Sequence, residues 1–181
     1  MTTTEDARDV ATLEDGRTRC TWVAGRPSLY AYHDAEWGMI PDDEAYARER
    51  LVHTCLQRDS ALADVGEARD AIWAALHGCD FTKIAAMDDA AVASVAARGG
   101  VLGDRARIAW LRDVAARGAE TAKQCREFRE YLLAVRFLSH EEQIADLTAR
   151  VPGFTRRDAA NLMANCGLGE GGSHERDCWR A

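Results

Sequence analysis

The feature that most constrains this fold is a set of cysteine and histidine residues divided between the two ends of the chain. Cys20 and His33 lie near the start with the spacing C-x12-H, and His174 and Cys178 lie near the end with the spacing H-x3-C. Zn²⁺ in structural sites is usually bound tetrahedrally by four nitrogen or sulfur ligands from the protein. The set therefore predicts a structural zinc that joins the N-terminal segment to the C-terminal tail. The alternative is a chance distribution among six Cys and five His.

Length and composition predict a single domain over residues 19–181. The chain has 181 residues, of which 47% are apolar, and this is enough for a hydrophobic core. Residues 1–18 are polar, do not resemble a signal peptide, and are expected to be disordered or loosely attached. The chain has no run of 18 apolar residues, which is the length needed to span a membrane. We therefore expect a cytoplasmic protein with reduced thiols and no membrane partner.

The charge of the chain argues against tight, nonspecific DNA binding. The net charge is −7 and the isoelectric point is near 5.3. Proteins that grip a nucleic-acid backbone usually carry a basic face, and counterion release supplies much of their affinity. We therefore expect DNA, if it is a partner, to bind weakly at physiological salt.

The apolar residues recur with a helical period along the domain, and alternating strand patterns are not convincing. Asp42 and Asp88 are suited to begin helices, while Gly118 and Gly167 are suited to end them. The prediction is an all-α, compact domain of about eight short helices. The expected helices are 43–56, 65–76, 81–87, 88–99, 105–117, 120–137, 141–149 and 155–166.

Aromatic and acidic residues are concentrated between positions 19 and 38. Such a mixture suits a pocket that stacks a flat ligand and hydrogen-bonds its edge, and the alternative is an aromatic lid packed on the helices. The candidate ligand-binding residues are Trp22, Tyr30, Tyr32 and Trp37, and the neighbouring carboxylates are Asp34 and Glu36.

A glycine-bearing turn at 99–104 separates two predicted helices, as in a helix-hairpin-helix. Such a turn offers backbone N–H groups and a helix N-terminus to a DNA phosphate. Gly103, Arg105 and Arg107 are therefore candidate DNA contacts. The alternative is an ordinary helix connection, which also uses glycine, and Asp104 in the turn would repel a phosphate.

Several strings together resemble the DNA-3-methyladenine glycosylase I family over roughly residues 19–178. These are R-C-x-W-V from Arg19, Y-H-D-x-E-W-G from Tyr32, F-x-K-I-A-A-M from Phe81, the glycine turn, and the C-G-L and H-x3-C strings of the tail. The resemblance implies a helix-hairpin-helix glycosylase fold, base excision from alkylated DNA, and a structural zinc held from both termini. Carried over to this chain, the zinc ligands are Cys20, His33, His174 and Cys178.

The departures from the family pattern fall on the chemistry. Family members carry L-E-x-x-x-A-G-L-S-W, whose Glu and Trp line the base pocket, where this chain reads Leu56-Gln57-Arg58-Asp59-Ser60 and lacks the Trp. Gln57 cannot act as a general base. Glu36 or Asp34 is then the best remaining acid or base, since a carboxyl buried against Trp37 would have a raised pKa. The alternative is that both carboxylates only orient His33 on zinc.

Three functions remain open on these residues. The first is hydrolysis of the N-glycosidic bond of an alkylated purine in DNA by a divergent glycosylase. The second is an enzyme on the same scaffold that acts on a small molecule in specialised metabolism. The third is a noncatalytic sensor of DNA or of a ligand. Fold alone does not decide among them, because function depends on the site.

Overall fold

The structure, a computed structural model, describes residues 9–168 together with residues 178 and 180. These residues form a small antiparallel hairpin followed by ten α-helices. The hairpin consists of β1 (Val10–Thr12) and β2 (Thr18–Cys20), with Val10 opposite Cys20. The helices are α1 (Tyr30–Ala35), α2 (Glu44–Leu56), α3 (Leu62–Glu67), α4 (Arg69–Ala75), α5 (Phe81–Ala85), α6 (Asp89–Ala96), α7 (Arg105–Cys125), α8 (Phe128–Val135), α9 (His140–Arg150) and α10 (Arg156–Asn165).

The domain is mostly helical, as predicted, and the short hairpin is an addition to it that the sequence did not indicate. Residues 9–18, which the sequence predicts to be loosely attached, contain the first strand, the turn and the start of the second strand, and the hydroxyls of Thr12 and Thr18 are 2.9 Å apart across the hairpin. Each strand has only three residues, which is too short for an alternating pattern to be recognised in the sequence. The consequence for the site is that β2 ends at Cys20 and fixes its position.

Several helices begin directly after a side chain that accepts a hydrogen bond from a backbone N–H of the first turn. Asp43, not the expected Asp42, caps α2 by accepting from the Ala45 N–H at 2.7 Å. The expected Asp88 cap is confirmed by its bond from the Ala91 N–H. Such caps satisfy backbone donors that a helix leaves unpaired.

The helix boundary predicted at Gly118 is wrong. Helix α7 continues through this residue to Cys125, and the next helix begins at Phe128 instead of residue 120. A side chain at position 118 would place its Cβ 2.6 Å from the Phe81 ring, so glycine here permits α5 and α7 to approach closely. Glycine therefore serves packing at this position and does not end the helix.

Helix α2 lies at the centre of the domain and contacts α7, α8 and α10. Nine of its residues are buried, and they include charged and polar side chains as well as apolar ones. Helix α10 ends at Asn165, one residue before the predicted end, and Gly167 follows it with a φ of +62°, which suits glycine, and with its backbone against the Gly38 carbonyl. This contact brings the end of α10 to the loop that follows Trp37. None of the helices in the described residues is long and apolar enough to cross a membrane.

Candidate functional site

Three of the four predicted zinc ligands meet in one buried place. Cys20 at the end of β2, His33 in α1 and Cys178 have ligand atoms that all lie within 4.8 Å of one another. The Cys178 Sγ lies 3.7 Å from the His33 Nε2. A tetrahedral Zn²⁺ with a sulfur at about 2.3 Å and a nitrogen at about 2.0 Å sets such atoms roughly 3.5 Å apart, so the spacing suits the ion. The fourth predicted ligand, His174, lies outside the described residues.

Asp34 holds the other ring nitrogen of the histidine. Its Oδ1 is 2.9 Å from the His33 Nδ1, which leaves Nε2 facing the sulfur. Both Asp34 oxygens also accept from the Arg19 guanidinium at 2.8 Å, and Arg19 is 1% exposed. Burial lowers the pKa of His33 and outweighs the effect of Asp34, so the ring is neutral, as a metal ligand must be. This geometry suits Asp34 to orienting His33.

Three of the four predicted ligand-binding aromatic residues form a cluster beside Cys20, His33 and Cys178. The Trp22 ring centroid lies 5.2 Å from that of Trp37 and 6.2 Å from that of Tyr32, both in edge-on arrangements. The His33 ring stacks on Trp37 at 5.9 Å. Trp22, Tyr32 and Trp37 are called the aromatic cluster below. Tyr30 lies elsewhere, with an arginine guanidinium 4.5 Å from the centre of its ring.

Glu36 is engaged in ion pairs. Its two oxygens accept from Arg69 at 2.9 and 2.8 Å, and Arg50 adds a third contact at 3.3 Å. Burial tends to raise the pKa of Glu36, but the two guanidinium groups outweigh it and hold the pKa below its ordinary value. The expectation of a raised pKa is therefore wrong. A carboxylate that stays ionised and is bound by two arginines is poorly suited to delivering a proton near neutral pH.

The charged residues that surround Glu36 could not be predicted from the sequence. Arg69 also binds Glu49 at 2.7 and 2.9 Å, and both Glu49 and Arg50 are essentially inaccessible to solvent within α2. His53, one turn further along, is 2% exposed, and burial lowers its pKa to about 3. Glu49 and Arg50 belong to the run A-R-E-R, which is typical of a solvent-exposed helical face, and no local signal in the sequence marks them as buried.

This charged group forms one wall of a cleft of about 460 Å³. The cleft is lined by mixed charges and by one member of the aromatic cluster. Its polar lining residues include Ser28, Tyr32, Glu36, His53, Arg69 and Asp70. Burial raises the pKa of Tyr32 to about 12, so its hydroxyl remains protonated at neutral pH.

Gln57 lies beside the aromatic cluster, and Asn165 connects the two. The Trp37 Nε1 donates to the Asn165 Oδ1 at 3.2 Å, and the Asn165 Nδ2 donates to the Gln57 Oε1 at 3.1 Å. The Thr54 hydroxyl accepts a further bond from Asn165 at 2.9 Å. The sequence pattern indicates Gln57 but not Asn165, because a single Asn near a helix end carries no pattern that distinguishes it.

The three residues predicted to contact DNA at the glycine turn differ in their exposure to solvent. Gly103 and Arg105 are exposed, whereas Arg107 is 8% exposed and donates to the Val101 carbonyl at 2.8 Å. Arg107 therefore closes the turn from within the protein, which differs from the expected contact with a phosphate. Asp104 caps α7 through the Arg107 N–H at 3.0 Å, and this bond holds its pKa below the ordinary range, so the turn carries a negative charge.

Comparisons with known proteins agree on one group. The sequence profile of the methyladenine glycosylase family matches residues 22–166. DNA-3-methyladenine glycosylase 1 of Escherichia coli (strain K12) is 26% identical over 130 residues, which cover 72% of this chain and 68% of that protein. A crystal structure of 3-methyladenine DNA glycosylase I superposes with a TM-score of 0.73 at 23% identity, covering 89% of this chain and 98% of that one. The Staphylococcus aureus enzyme, solved to explain its recognition of 3-methyladenine, gives 0.74 at 13% identity, covering 90% and 95%. The two structures establish the fold.

Proposed function

This chain belongs to the methyladenine glycosylase family, and from that premise we propose that it hydrolyses the N-glycosidic bond of an alkylated purine in DNA. The observation that carries the proposal is the aromatic cluster, whose three rings lie together beside Cys20, His33 and Cys178. Aromatic rings bind an extruded base by stacking. A purine alkylated on a ring nitrogen carries a positive charge and leaves readily as a neutral base. Binding and orientation can therefore supply much of the rate.

We propose that this hydrolysis is slow. A general base contributes about 10²–10⁴-fold when it lies within reach of the attacking water. Both oxygens of Asp34 accept from Arg19, and both oxygens of Glu36 accept from Arg69. Gln57 does not titrate at all. With these three candidates unable to take up a proton easily, the rate should fall below that of a relative with a free carboxylate by about a hundredfold or more.

We propose further that Cys20, His33, His174 and Cys178 hold one Zn²⁺. The donor chemistry fits, since two thiols and a neutral imidazole lie within 4.8 Å and Asp34 orients the imidazole. The ion would close its coordination with protein ligands and tie the tail to the hairpin, which is a structural contribution. The hydrolysis itself uses the aromatic cluster and water.

Alkylated DNA is the proposed partner, and binding should be weak. Arg107 is turned into the protein, and Asp104 places a negative charge in the glycine turn. The net charge of −7 acts in the same direction. Few phosphates can then be neutralised, so affinity should be low at physiological salt and should rise as salt is removed.

The test is release of methylated bases from methylated duplex DNA, with the Escherichia coli relative measured in parallel. We expect slow release by the wild type and a further loss of about tenfold or more for Trp22→Leu, because stacking on an aromatic side chain contributes about 1–3 kcal/mol per base. The matched control is Trp73→Leu, whose ring lies against Tyr46 and outside the cluster. Release as fast as the relative would contradict the argument from the engaged carboxylates. Release no faster than in a protein-free sample would reject the proposed function.

A further inference from the structure

We propose that an acidic trench around Tyr46 is a docking surface for an arginine- and lysine-rich segment of another protein. The acidic trench is defined by the exposed side chains of Asp42, Tyr46 and Asp70, together with the half-buried ring of Trp73. Tyr46 lies in the first turn of α2, whereas Gln57 follows the last turn, about 16 Å further along the helix axis. Docking in the trench is therefore independent of base release beside the aromatic cluster.

The trench consists of cavities that share lining residues. One cavity of about 230 Å³ is lined by residues 40–42 and by Tyr46, among others. A second cavity, of about 460 Å³, lies against Tyr46, Asp70 and Trp73. This second cavity shares Arg69 and Asp70 with the mixed-charge cleft described above. A row of adjoining cavities suits an extended chain segment, whose side chains enter successive pockets, better than one compact ligand.

Tyr46 gives the trench an exposed aromatic surface. It is 45% exposed, and the Trp73 ring centroid lies 6.2 Å from its own at a tilt of 46°. The Arg69 guanidinium lies 5.3 Å from the centre of the Tyr46 ring, so this ring already contacts one guanidinium within the protein. The exposed part of the ring is open to a second guanidinium from a partner, because arginine side chains stack on aromatic faces.

The charges of the trench favour a basic partner. Arg50 and Arg69 line it, but Glu36 and Glu49 bind both arginines and balance their charge. The two aspartates of the trench are exposed, and neither forms an ion pair within the described residues. They attract arginine and lysine side chains and repel the phosphates of DNA. The occupant that fits this charge is therefore a basic protein segment, and nucleic acid does not fit.

His53 is an independent indication that a ligand binds next to the trench. It lines the mixed-charge cleft that adjoins the trench, and it is 2% exposed. Its Nε2 has no hydrogen-bond partner among the described residues, since the Glu49 Oε1 at 3.7 Å is too distant. Burial lowers the pKa of His53 to about 3, so the ring is neutral and its unprotonated nitrogen can accept from an arginine or lysine N–H. A buried polar group without a partner is unfavourable, and a basic side chain in this cleft would supply one.

The first test measures binding of a fluorescein-labelled hexa-arginine peptide by fluorescence anisotropy. Asp42→Asn combined with Asp70→Asn should weaken binding by about five- to tenfold, because two exposed ion pairs are lost. Tyr46→Leu keeps an apolar side chain, removes the ring and should weaken binding by about fivefold. The matched control combines Asp113→Asn with Glu127→Gln at exposed positions elsewhere, and should change the affinity by less than about twofold. The two double variants have equal net charge, so a difference between them isolates the trench.

The second test locates the bound peptide by hydrogen exchange. Hexa-arginine should slow exchange in residues 40–50 and 69–73 of the wild type, and much less in the variant that lacks both trench aspartates. Thermal unfolding checks that each variant is folded, and Tyr46→Leu tests the same surface without a change of charge. Equal affinity of the two double variants, or protection confined to other segments, would overturn the proposal.

The remaining alternative occupant is a second copy of this chain. Sedimentation equilibrium of the wild type should show a monomer at the concentrations used for peptide binding. A dimer that is lost when Asp42 and Asp70 are both replaced by asparagine would show that a second copy occupies the trench, and the proposal of a basic partner would be wrong.

Discussion

Replacement of Asp34 by asparagine tests whether this carboxylate orients His33, a predicted zinc ligand, or takes part in catalysis. The substitution keeps the shape and removes the charge. In the wild type the carboxylate accepts two bonds from Arg19 at 2.8 Å and one contact from the His33 Nδ1 at 2.9 Å. An asparagine can keep one acceptor for either partner, and its amide nitrogen opposes the other. The variant therefore weakens a buried ion pair and the support of a predicted zinc ligand together.

The expected loss of stability follows from the burial of Arg19. Removing one partner of a buried ion pair costs about 3–5 kcal/mol, because the remaining charge lies in a medium that solvates it poorly. Arg19 is 1% exposed but keeps Asp15, which accepts from it at 2.9 and 2.7 Å, so we expect about 2–3 kcal/mol. For a chain of this length that corresponds to a decrease of about 4–12 °C in Tm. Loss of a carboxylate behind a metal-bound histidine typically lowers metal affinity by about 10–100-fold.

Three measurements are needed on Asp34→Asn. They are thermal unfolding by circular dichroism, zinc affinity by competition with a chelator, and base release per folded, zinc-loaded chain. Asp15→Asn is the matched control, since it removes the other partner of Arg19 without touching His33. It should lower Tm and leave zinc affinity unchanged. If Asp34→Asn keeps the wild-type Tm and zinc affinity but releases no base, Asp34 is catalytic and the reasoning from its contacts is refuted.

Three further predictions concern the metal, pH and DNA. Purified protein should contain about one zinc per chain, and Cys178→Ser should lower both zinc content and Tm; metal-free wild type by mass spectrometry would contradict this. Burial lowers the pKa of His53 to about 3, so the unfolded chain binds this proton first, near pH 6.5. The free energy of unfolding should therefore be fully maintained above about pH 6.5 and should fall by up to about 1.4 kcal/mol per unit below it. In His53→Gln the free energy of unfolding, measured by denaturant titration, should depend less on pH between about pH 6.5 and 5. An unchanged slope would show that His53 is not the group responsible. In DNA-binding titrations Arg105→Ala should reduce affinity and its salt dependence, whereas Arg107→Ala should lower Tm; the reverse pattern would show that Arg107 faces DNA.

The sequence alone determined the family, most of the helices and the candidate metal ligands. Y-H-D-x-E-W-G between Tyr32 and Gly38 carried the resemblance that the family match confirms. Aspartates such as Asp88 mark helix starts because a cap acts on backbone groups only two or three residues away. These features are local, so they can be read along the chain. The zinc itself stays a prediction.

Tertiary structure decided what each candidate residue can do. Glu36 and Asp34 looked alike as carboxylates, but one is held by Arg69 from α4 and the other by Arg19 from β2. Gln57 accepts a hydrogen bond from Asn165, which lies 108 residues further along the chain. A side chain's protonation and orientation depend on the partners that packing brings to it, and those partners come from distant segments whose spacing leaves no trace in the sequence.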